Sequence, residues 1–208
     1  MELIEPSFKR DFLLQTTERI EQLHGIFDEA CVDLKSACIK WRNDNNHRLV
    51  WIPSKEEAVF NFLLDKEINN LIKEQTFYDV GSGDGRILFI AREAGAPKAV
   101  GYEINTGLWN AAKELHSSSK MLHRFTNIDY RNADFFKEKL YKKPGIYYIW
   151  PDPNTTLDDV CKKLHAETPQ SLLIVYSNYV VGKQKRLPIY HREFLFNNHI
   201  EKIGLYKP

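Results

Sequence analysis

The sequence predicts a three-layer α/β/α domain with a mostly parallel seven-stranded sheet, preceded by a helical arm. Three observations lead to this prediction. From residue 76 onward, short apolar segments alternate with segments of helical length; a glycine-rich loop follows the first apolar segment; and the chain ends with two strand-like segments around Asn197-Asn198. Strands that alternate with helices along a chain form a parallel sheet with helices on both faces.

The predicted elements follow one another at short intervals. The strands cover residues 76–80, 98–103, 128–132, 145–150 and 171–176, and the helices between them cover residues 86–94, 108–116 and 157–165. Adjacent asparagines tolerate the positive φ of a tight turn, so the segments 190–196 and 199–206 are predicted to pair as a β-hairpin. The parallel sheet therefore ends with antiparallel strands.

Residues 1–48 are predicted to form the arm and residues 49–208 the α/β domain, with the boundary in the polar stretch 42–48. The arm carries a helix over residues 7–42. Its apolar residues recur at steps of three and four: Ile20, Leu23, Phe27, Ala30, Leu34, Ala37 and Trp41. Such a seam is typical of an amphipathic helix on its own domain or of a homodimer interface. We favour the first interpretation, because three repeats are few for a free-standing coiled coil.

A further helix is predicted to begin directly after Pro53. The segment Ser54-Lys55-Glu56-Glu57 has the spacing of a capping box, in which the serine and the last glutamate satisfy free backbone N–H groups. The apolar residues of this helix that are expected to face the core are Val59, Phe60, Phe62 and Leu63.

Composition excludes a collagen-like chain, a low-complexity disordered chain and a disulfide-rich secreted scaffold. The chain has 208 residues, 29 Lys and Arg against 28 Asp and Glu, and a net charge of +1. A dedicated nucleic-acid-binding domain is normally clearly basic, although a local basic patch is compatible with a balanced total. The three cysteines form no C-x-x-C pair, and no apolar run approaches the roughly 20 residues of a membrane span. These features predict reduced thiols and a cytoplasmic protein without a signal peptide or membrane span.

The loop after the first strand carries glycine at alternate positions, Gly81, Gly83 and Gly85, around Ser82. Glycine accepts positive φ and lets a ligand approach the backbone closely. Dinucleotide-binding loops have G-x-G-x-x-G, whereas the corresponding third position here is Arg86. The first strand also ends near Asp79, which would repel a pyrophosphate but could hold an ammonium group. No G-K-[ST] follows, which excludes a P-loop.

Acidic residues come at the ends of the next two predicted strands. Glu103 ends the second strand, where a carboxylate can accept hydrogen bonds from both hydroxyls of a ribose. Asp134 and Phe135 follow the third strand, where the carboxylate can accept from an adenine amino group and the ring can flank the base. The remaining acids nearby, Asp84 and Asp129, are interpreted as a solvated loop acid or a helix cap. Ligands bind at this edge of open α/β sheets.

These residues resemble the class I S-adenosylmethionine-dependent methyltransferases. The resemblance covers roughly residues 50–206 and implies a Rossmann-like fold with S-adenosyl-L-methionine as cofactor. It implies that Asp79, the three glycines and Ser82 line the methionine part of the cofactor, that Glu103 binds the ribose, and that Asp134 and Phe135 hold the adenine. The segment Gly81–Arg86, preceded by Trp51-Ile52-Pro53-Ser54, is similar to the small protein-lysine methyltransferases of archaeal and mitochondrial type. Ser54 replaces the usual threonine of that group.

The tip of the fourth predicted strand leaves two interpretations open. The segment 150–154 carries Trp150, Pro151, Asp152, Pro153 and Asn154. It could be a rigid turn, or it could be the acceptor site, with Trp150 as a wall and Asp152 as a hydrogen-bond or proton partner. It partly resembles the [DN]-P-P-[YF] motif of methyltransferases that act on planar amines, although its second proline is displaced.

The sequence thus predicts a methyltransferase in which a protein lysine is the favoured acceptor. The alternatives are a nucleic acid or small-molecule amine as acceptor, or a non-catalytic module that binds the cofactor. Four basic residues near the end of the chain, Lys183, Lys185, Arg186 and Arg192, could guide an acidic protein or a nucleic acid. The scattered histidines predict no metal site.

Overall fold

A computed structural model describes residues 18–28, 54–140, 144–151, 157–176, 188–196 and 199–208. A seven-stranded sheet with the strand order β3-β2-β1-β4-β5-β7-β6 organises these residues. Its strands are β1 (Phe77–Val80), β2 (Ala99–Glu103), β3 (Ile128–Asn132), β4 (Ile146–Ile149), β5 (Leu172–Tyr176), β6 (Tyr190–Phe196) and β7 (His199–Tyr206). Strands β1 to β5 are parallel, and β7 runs antiparallel to both β5 and β6. The predicted fold class is confirmed.

The helices cover both faces of the sheet. They are α1 (residues 18–28), α2 (Glu56–Leu64), α3 (Lys66–Glu74), α4 (Arg86–Glu93), α5 (Thr106–Ser118) and α6 (Leu157–Glu167), with a 3₁₀ turn at Leu122–Arg124. One apolar layer joins α1, α2, α3 and α4 to the sheet, and a second joins α6 to the opposite face. Among the described helices, none is long and apolar enough to cross a membrane.

The alternation of side chains along each strand separates the two layers. Phe77 and Tyr148 pack in the first layer, whereas Tyr78 and Tyr147, one residue before or after them, pack in the second. The rings of Tyr78 and Tyr147 stack at 4.5 Å between centroids. Because successive strand residues point to opposite faces, this alternation identifies which side chains at the sheet edge belong to the α4 side.

Helix α1 packs against its own domain. Ile20, Leu23 and Phe27 of the predicted seam are buried there, and the Phe27 ring lies 5.8 Å from that of Phe89 in α4. These three side chains therefore contribute to the first apolar layer. The other four seam positions, the remainder of the predicted helix and the boundary at 42–48 lie outside the described residues.

The predicted capping box is wrong. The N-cap of α2 is Lys55, with no side-chain cap, and the Ser54 hydroxyl is instead hydrogen-bonded to the buried Tyr148 hydroxyl at 2.7 Å. The Tyr148 hydroxyl needs a partner in the core, and this requirement takes the serine away from the helix terminus. Asp65 then separates α2 from α3 with an extended ψ of 133° and accepts from the Glu67 N–H.

Candidate active site

The glycine loop connects β1 to α4 with three glycines in the left-handed region. Gly81, Gly83 and Gly85 have φ of 79°, 54° and 81°. The N–H groups of Gly81 and Ser82 both donate to the Tyr102 carbonyl of β2, at 2.8 and 3.0 Å. This turn holds the loop over the ends of β1 and β2 and leaves its backbone without side-chain cover at the glycines.

Strand β2 approaches the same loop closely at Gly101. A Cβ at this position would lie 2.6 Å from the Ser82 Oγ and 2.9 Å from the Leu88 Cδ1 of α4. Glycine in a strand often marks such a close approach of neighbouring groups. Gly101 thus allows the loop and the first turn of α4 to lie directly on the sheet.

Glu103 ties the loop to the end of β2. One carboxylate oxygen, Oε2, accepts from the Gly83 N–H at 2.7 Å, and the other, Oε1, accepts from the Asn105 N–H at 2.7 Å. Burial raises the pKa of Glu103 to about 7, although these two backbone hydrogen bonds act in the opposite direction. Each oxygen still has a lone pair for a further donor.

Asp79 lies beside Glu103, with 2% of its surface exposed. No described residue donates a hydrogen bond to its carboxylate. Burial raises the pKa of Asp79 well above its usual value, and the charges of Glu103 and Asp84 raise it further. A cationic group brought to this position would favour the ionised form, because an opposite charge offsets burial.

Asp84 is buried, so the prediction of a solvated loop acid is wrong. The alternative prediction, a helix cap, agrees with the Arg86 N–H, the first of α4, which donates to the Asp84 Oδ1 at 3.1 Å. Asp84 is 1% exposed and binds the Arg86 guanidinium through both carboxylate oxygens, with Nε–Oδ1 3.1 Å and Nη2–Oδ2 2.7 Å. The Arg86 Nη1 also binds Glu56 of α2. A guanidinium that enters the core needs carboxylate partners, and the loop acid supplies one of them. The cluster fixes the loop to α2 and α4.

Helix α1 covers this ion cluster. The Phe27 ring lies 5.1 Å from the Arg86 Cζ, within the range of a cation–π contact. His24 of the same helix also contacts Glu56, with 3.4 Å between the His24 Nδ1 and the Glu56 Oε2. The helix before the α/β domain therefore contacts residues that hold the glycine loop.

No protein-family model and no curated protein matches the chain. Solved structures do match the chain. Escherichia coli yhhF has a TM-score of 0.56 at 16% identity, over 76% of this chain and 89% of that one. An RNA methyltransferase from Salinibacter ruber, in complex with S-adenosyl-L-homocysteine, has a TM-score of 0.52 at 19% identity, over 74% and 94%. The Bacillus subtilis M1A22 tRNA methyltransferase TrmK has a TM-score of 0.53 at 15% identity, over 76% and 67%.

The chain has the Rossmann-like methyltransferase fold. The order of its parallel strands reverses between β1 and β4, and in open α/β sheets the ligand crevice lies at such a reversal. Asp79 of β1 and Tyr148 of β4 are register partners at this point. The methyltransferase fold therefore brings the glycine loop, Asp79 and Glu103 to the edge where ligands bind.

Asp134 and Phe135 follow β3 in this methyltransferase fold. Oδ1 of Asp134 accepts from the Phe136 N–H at 3.0 Å, and Lys137 pairs with the other oxygen at 3.3 Å. The Phe135 ring is buried in the second layer, 5.5 Å from that of Tyr102. The roles of both residues toward an adenine stay predictions. Asp129 is partly exposed and pairs with Arg131, in line with a solvated acid.

The predicted acceptor tip lies partly outside the described residues. Trp150 is partly buried and packs against the first apolar layer, whereas Asp152 and the rest of the segment 152–156 are not described. Sequence reasoning missed the neighbour of this tip, Tyr148. The adjacent tyrosines of β4, Tyr147 and Tyr148, were the available signal. Within the described parts of the chain, no group of acids, cysteines and histidines could hold a metal ion.

Polar side chains cross the carboxyl edge of the sheet on the α4 face, and we call them the polar row. The row comprises Glu103 of β2, Asp79 of β1, Tyr148 of β4, Tyr176 of β5 and Glu201 of β7. These strands are consecutive neighbours in the sheet. Burial raises the pKa of the Tyr148 and Tyr176 hydroxyls, and the charge of the nearest acid, Asp79 or Glu201, raises it further. Both tyrosines therefore remain protonated.

Proposed function

We propose that the protein is an S-adenosyl-L-methionine-dependent methyltransferase. One observation carries this proposal. The positive-φ glycine loop and two buried acids, Asp79 and Glu103, lie together where the strand order reverses. The fold alone would host other ligands. The acids narrow the choice of ligand, because a cation would favour their ionised forms, whereas those forms would repel a phosphate.

The described residues fit this cofactor in two places. Glu103 keeps a lone pair on each oxygen after its bonds to Gly83 and Asn105, and a ribose supplies two hydroxyl donors. Asp79 has no donor among the described residues, and an ammonium group would supply one. Asp134 and Phe135 are proposed to hold the adenine, as the resemblance implies.

The bound cofactor supplies a methyl group on a cationic sulfur. The residues of this chain then have to hold an acceptor in line with that bond and exclude water. Tyr148 and Trp150, at the end of β4, lie on the side of β1 opposite to β2 and Glu103, where we place the acceptor. When bound, the cofactor would give up its methyl group and keep the electron pair of the broken carbon–sulfur bond, and a nitrogen acceptor would release one proton.

Nucleic acid is the acceptor class that we propose first. The S. ruber and B. subtilis neighbours described above are named as RNA and tRNA methyltransferases. The sequence also contains Lys183, Lys185 and Arg186 between β5 and β6, with no acid from residue 177 to residue 189. Basic residues in the connection between β5 and β6 would attract a phosphate backbone. Arg192 contributes less, since it is paired with Asp65.

Protein lysine stays as the second candidate, supported by the Gly81–Arg86 motif and its resemblance to lysine methyltransferases. The two classes are separated by incubating source-cell extract with the protein and tritiated S-adenosyl-L-methionine, followed by nuclease or protease. Label released by nuclease supports nucleic acid, and label released only by protease supports lysine. Cofactor binding without any labelled fraction would favour the non-catalytic module.

The cofactor assignment is tested by replacing Glu103 with alanine. The variant should bind S-adenosyl-L-homocysteine more weakly by about 1–3 kcal/mol, roughly 5- to 150-fold, because the ribose hydroxyls lose their acceptor. Isothermal titration calorimetry gives the affinity, and circular dichroism checks the fold. Asp129→Ala removes a partly exposed carboxylate that pairs with Arg131 and is the matched control. Equal affinities of a folded Glu103→Ala variant and the wild type would contradict the assignment.

A further inference from the structure

The carboxylate at the β7 end of the polar row lacks a hydrogen-bond partner on one oxygen. Glu201 is 7% exposed, and its Oε2 accepts no hydrogen bond from any described residue. Among the described residues it is also in no ion pair. A buried acceptor without a donor is unfavourable, so a carboxylate is retained at such a position most readily when something else supplies the donor.

Glu201 is on the same face of the sheet as the cofactor-side acids. It precedes Ile203 and Leu205 by two and four residues, and both of these pack in the first apolar layer. Tyr176, the last residue of β5, is paired in register with Ile203. Glu201 therefore projects beyond the end of β5, at the carboxyl edge of the parallel strands. Asp79 and Glu103 occupy the opposite end of the polar row.

Tyr176 has little remaining hydrogen-bonding capacity. Its hydroxyl oxygen accepts from the Lys55 backbone N–H at 3.4 Å, and interaction of the hydroxyl with the neighbouring Glu201 raises the Tyr176 pKa. At this end of the polar row, the hydrogen-bond acceptor that remains for a ligand is the Oε2 of Glu201. A carbonyl oxygen placed there would meet another oxygen, whereas an amino group would donate to it.

We propose that Glu201 accepts a hydrogen bond from the exocyclic amino group of a nucleobase, and so selects an amino-bearing base as the methyl acceptor. This inference rests on the proposed function and deepens it. Carboxylates recognise cytosine and other amino-bearing bases in this way, and tyrosine rings can flank an unstacked base. Uracil has no amino group, and its carbonyl oxygens would oppose the carboxylate. The proton released from the amino nitrogen during transfer passes to Oε2.

The test compares the wild type with Glu201→Gln and with the control Glu193→Gln. Glu193 lies on the same hairpin, is exposed and pairs with Lys202 at 2.7 Å. Each protein is incubated with total RNA of the source cells and labelled cofactor, and the RNA is digested to nucleosides that are separated by chromatography. We expect label on the amino group of adenosine, cytidine or guanosine, and at least tenfold slower transfer by Glu201→Gln alone.

Two further readouts distinguish recognition from damage to the fold. Glu201→Gln should bind S-adenosyl-L-homocysteine within twofold of the wild type. Its midpoint of urea unfolding should be at least as high, because glutamine keeps the size of the side chain and no described residue donates to the Oε2 that it replaces. Equal transfer by Glu201→Gln, label on uridine, or label in protein lysine instead of RNA would overturn the inference. A wild type that does not bind S-adenosyl-L-homocysteine would overturn the proposed function itself.

Discussion

At the scale of single residues, burial decides the protonation of the site. Glu103 accepts two backbone hydrogen bonds, which favour its charged form, yet the loss of water has the larger effect and the pKa rises to about 7. Asp79 lies next to it without a described donor, and burial raises its pKa well above the usual value. In the free protein the site therefore holds protons that a cationic ligand would displace.

The raised pKa of Glu103 predicts a pH-dependent stability. Between pH 4.5 and about 7, the folded protein holds a proton on Glu103 that the unfolded chain has released. The free energy of unfolding should therefore fall as pH rises through this window, since the folded state binds more protons. In Glu103→Gln this contribution is absent, so the wild type should lose stability relative to that variant from pH 5 to pH 8.

Urea denaturation at intervals of one pH unit measures this difference. Glu193→Gln is the control, because the pKa of the exposed Glu193 is lowered by Lys202 and its titration falls below the window. A stability difference between wild type and Glu103→Gln that stays constant from pH 5 to pH 8 would show that Glu103 is not protonated by burial.

At the scale of elements, strand positions were predictable and the roles of polar groups were less so. The bounds 128–132, 190–196 and 199–206 agree with β3, β6 and β7, because apolar residues between turn residues identify strands well. Ser54 was misinterpreted, since its partner Tyr148 is 94 residues away in the sequence. The burial of Asp84 was missed, since it depends on the contact of Arg86 with Glu56 of α2. Acids at strand ends could be predicted as a group, because parallel strands bring their carboxyl ends together. The role of Glu201 could not be predicted, because it depends on the lack of a described hydrogen-bond donor to its Oε2.

Helix α1 provides a prediction at this scale. Phe27→Ala should destabilise the protein by about 3–5 kcal/mol, as large-to-small changes of buried aromatic residues do. It should also weaken binding of S-adenosyl-L-homocysteine, because Phe27 covers Arg86 and Arg86 holds the glycine loop through Asp84. Calorimetry on the folded variant measures the affinity.

Ile20→Ala is the control for this experiment. Ile20 is buried on the same helix, two turns before Phe27. Its replacement should lower stability and leave the affinity for S-adenosyl-L-homocysteine unchanged. If both variants weaken binding equally, α1 acts through general stability and has no specific connection to the loop.

At the scale of the whole molecule, the proposed cofactor site joins the layers of the domain. The glycine loop is held by β2 through Glu103, by α4 and α2 through Arg86, and by α1 through Phe27. A ligand bound to this loop should consequently stabilise the whole domain against unfolding, and not the loop alone. Saturating S-adenosyl-L-homocysteine at 100 times its dissociation constant should add about 2.7 kcal/mol to the free energy of unfolding.

Urea unfolding followed by far-ultraviolet circular dichroism and by tryptophan fluorescence checks this prediction. The two signals should shift together on addition of the ligand. A shift in one signal alone would show that the loop and the remaining domain unfold separately.

The close approach of β2 to Ser82 has a consequence for mutational tolerance. Position 101 is in the middle of a buried strand, yet any side chain there would push Ser82 and the first turn of α4 away from the sheet. In a survey of all single substitutions scored by methyl transfer, position 101 should behave like the loop glycines and unlike the other interior positions of β2. A map of intolerant positions would therefore extend from the loop into the strand beneath it.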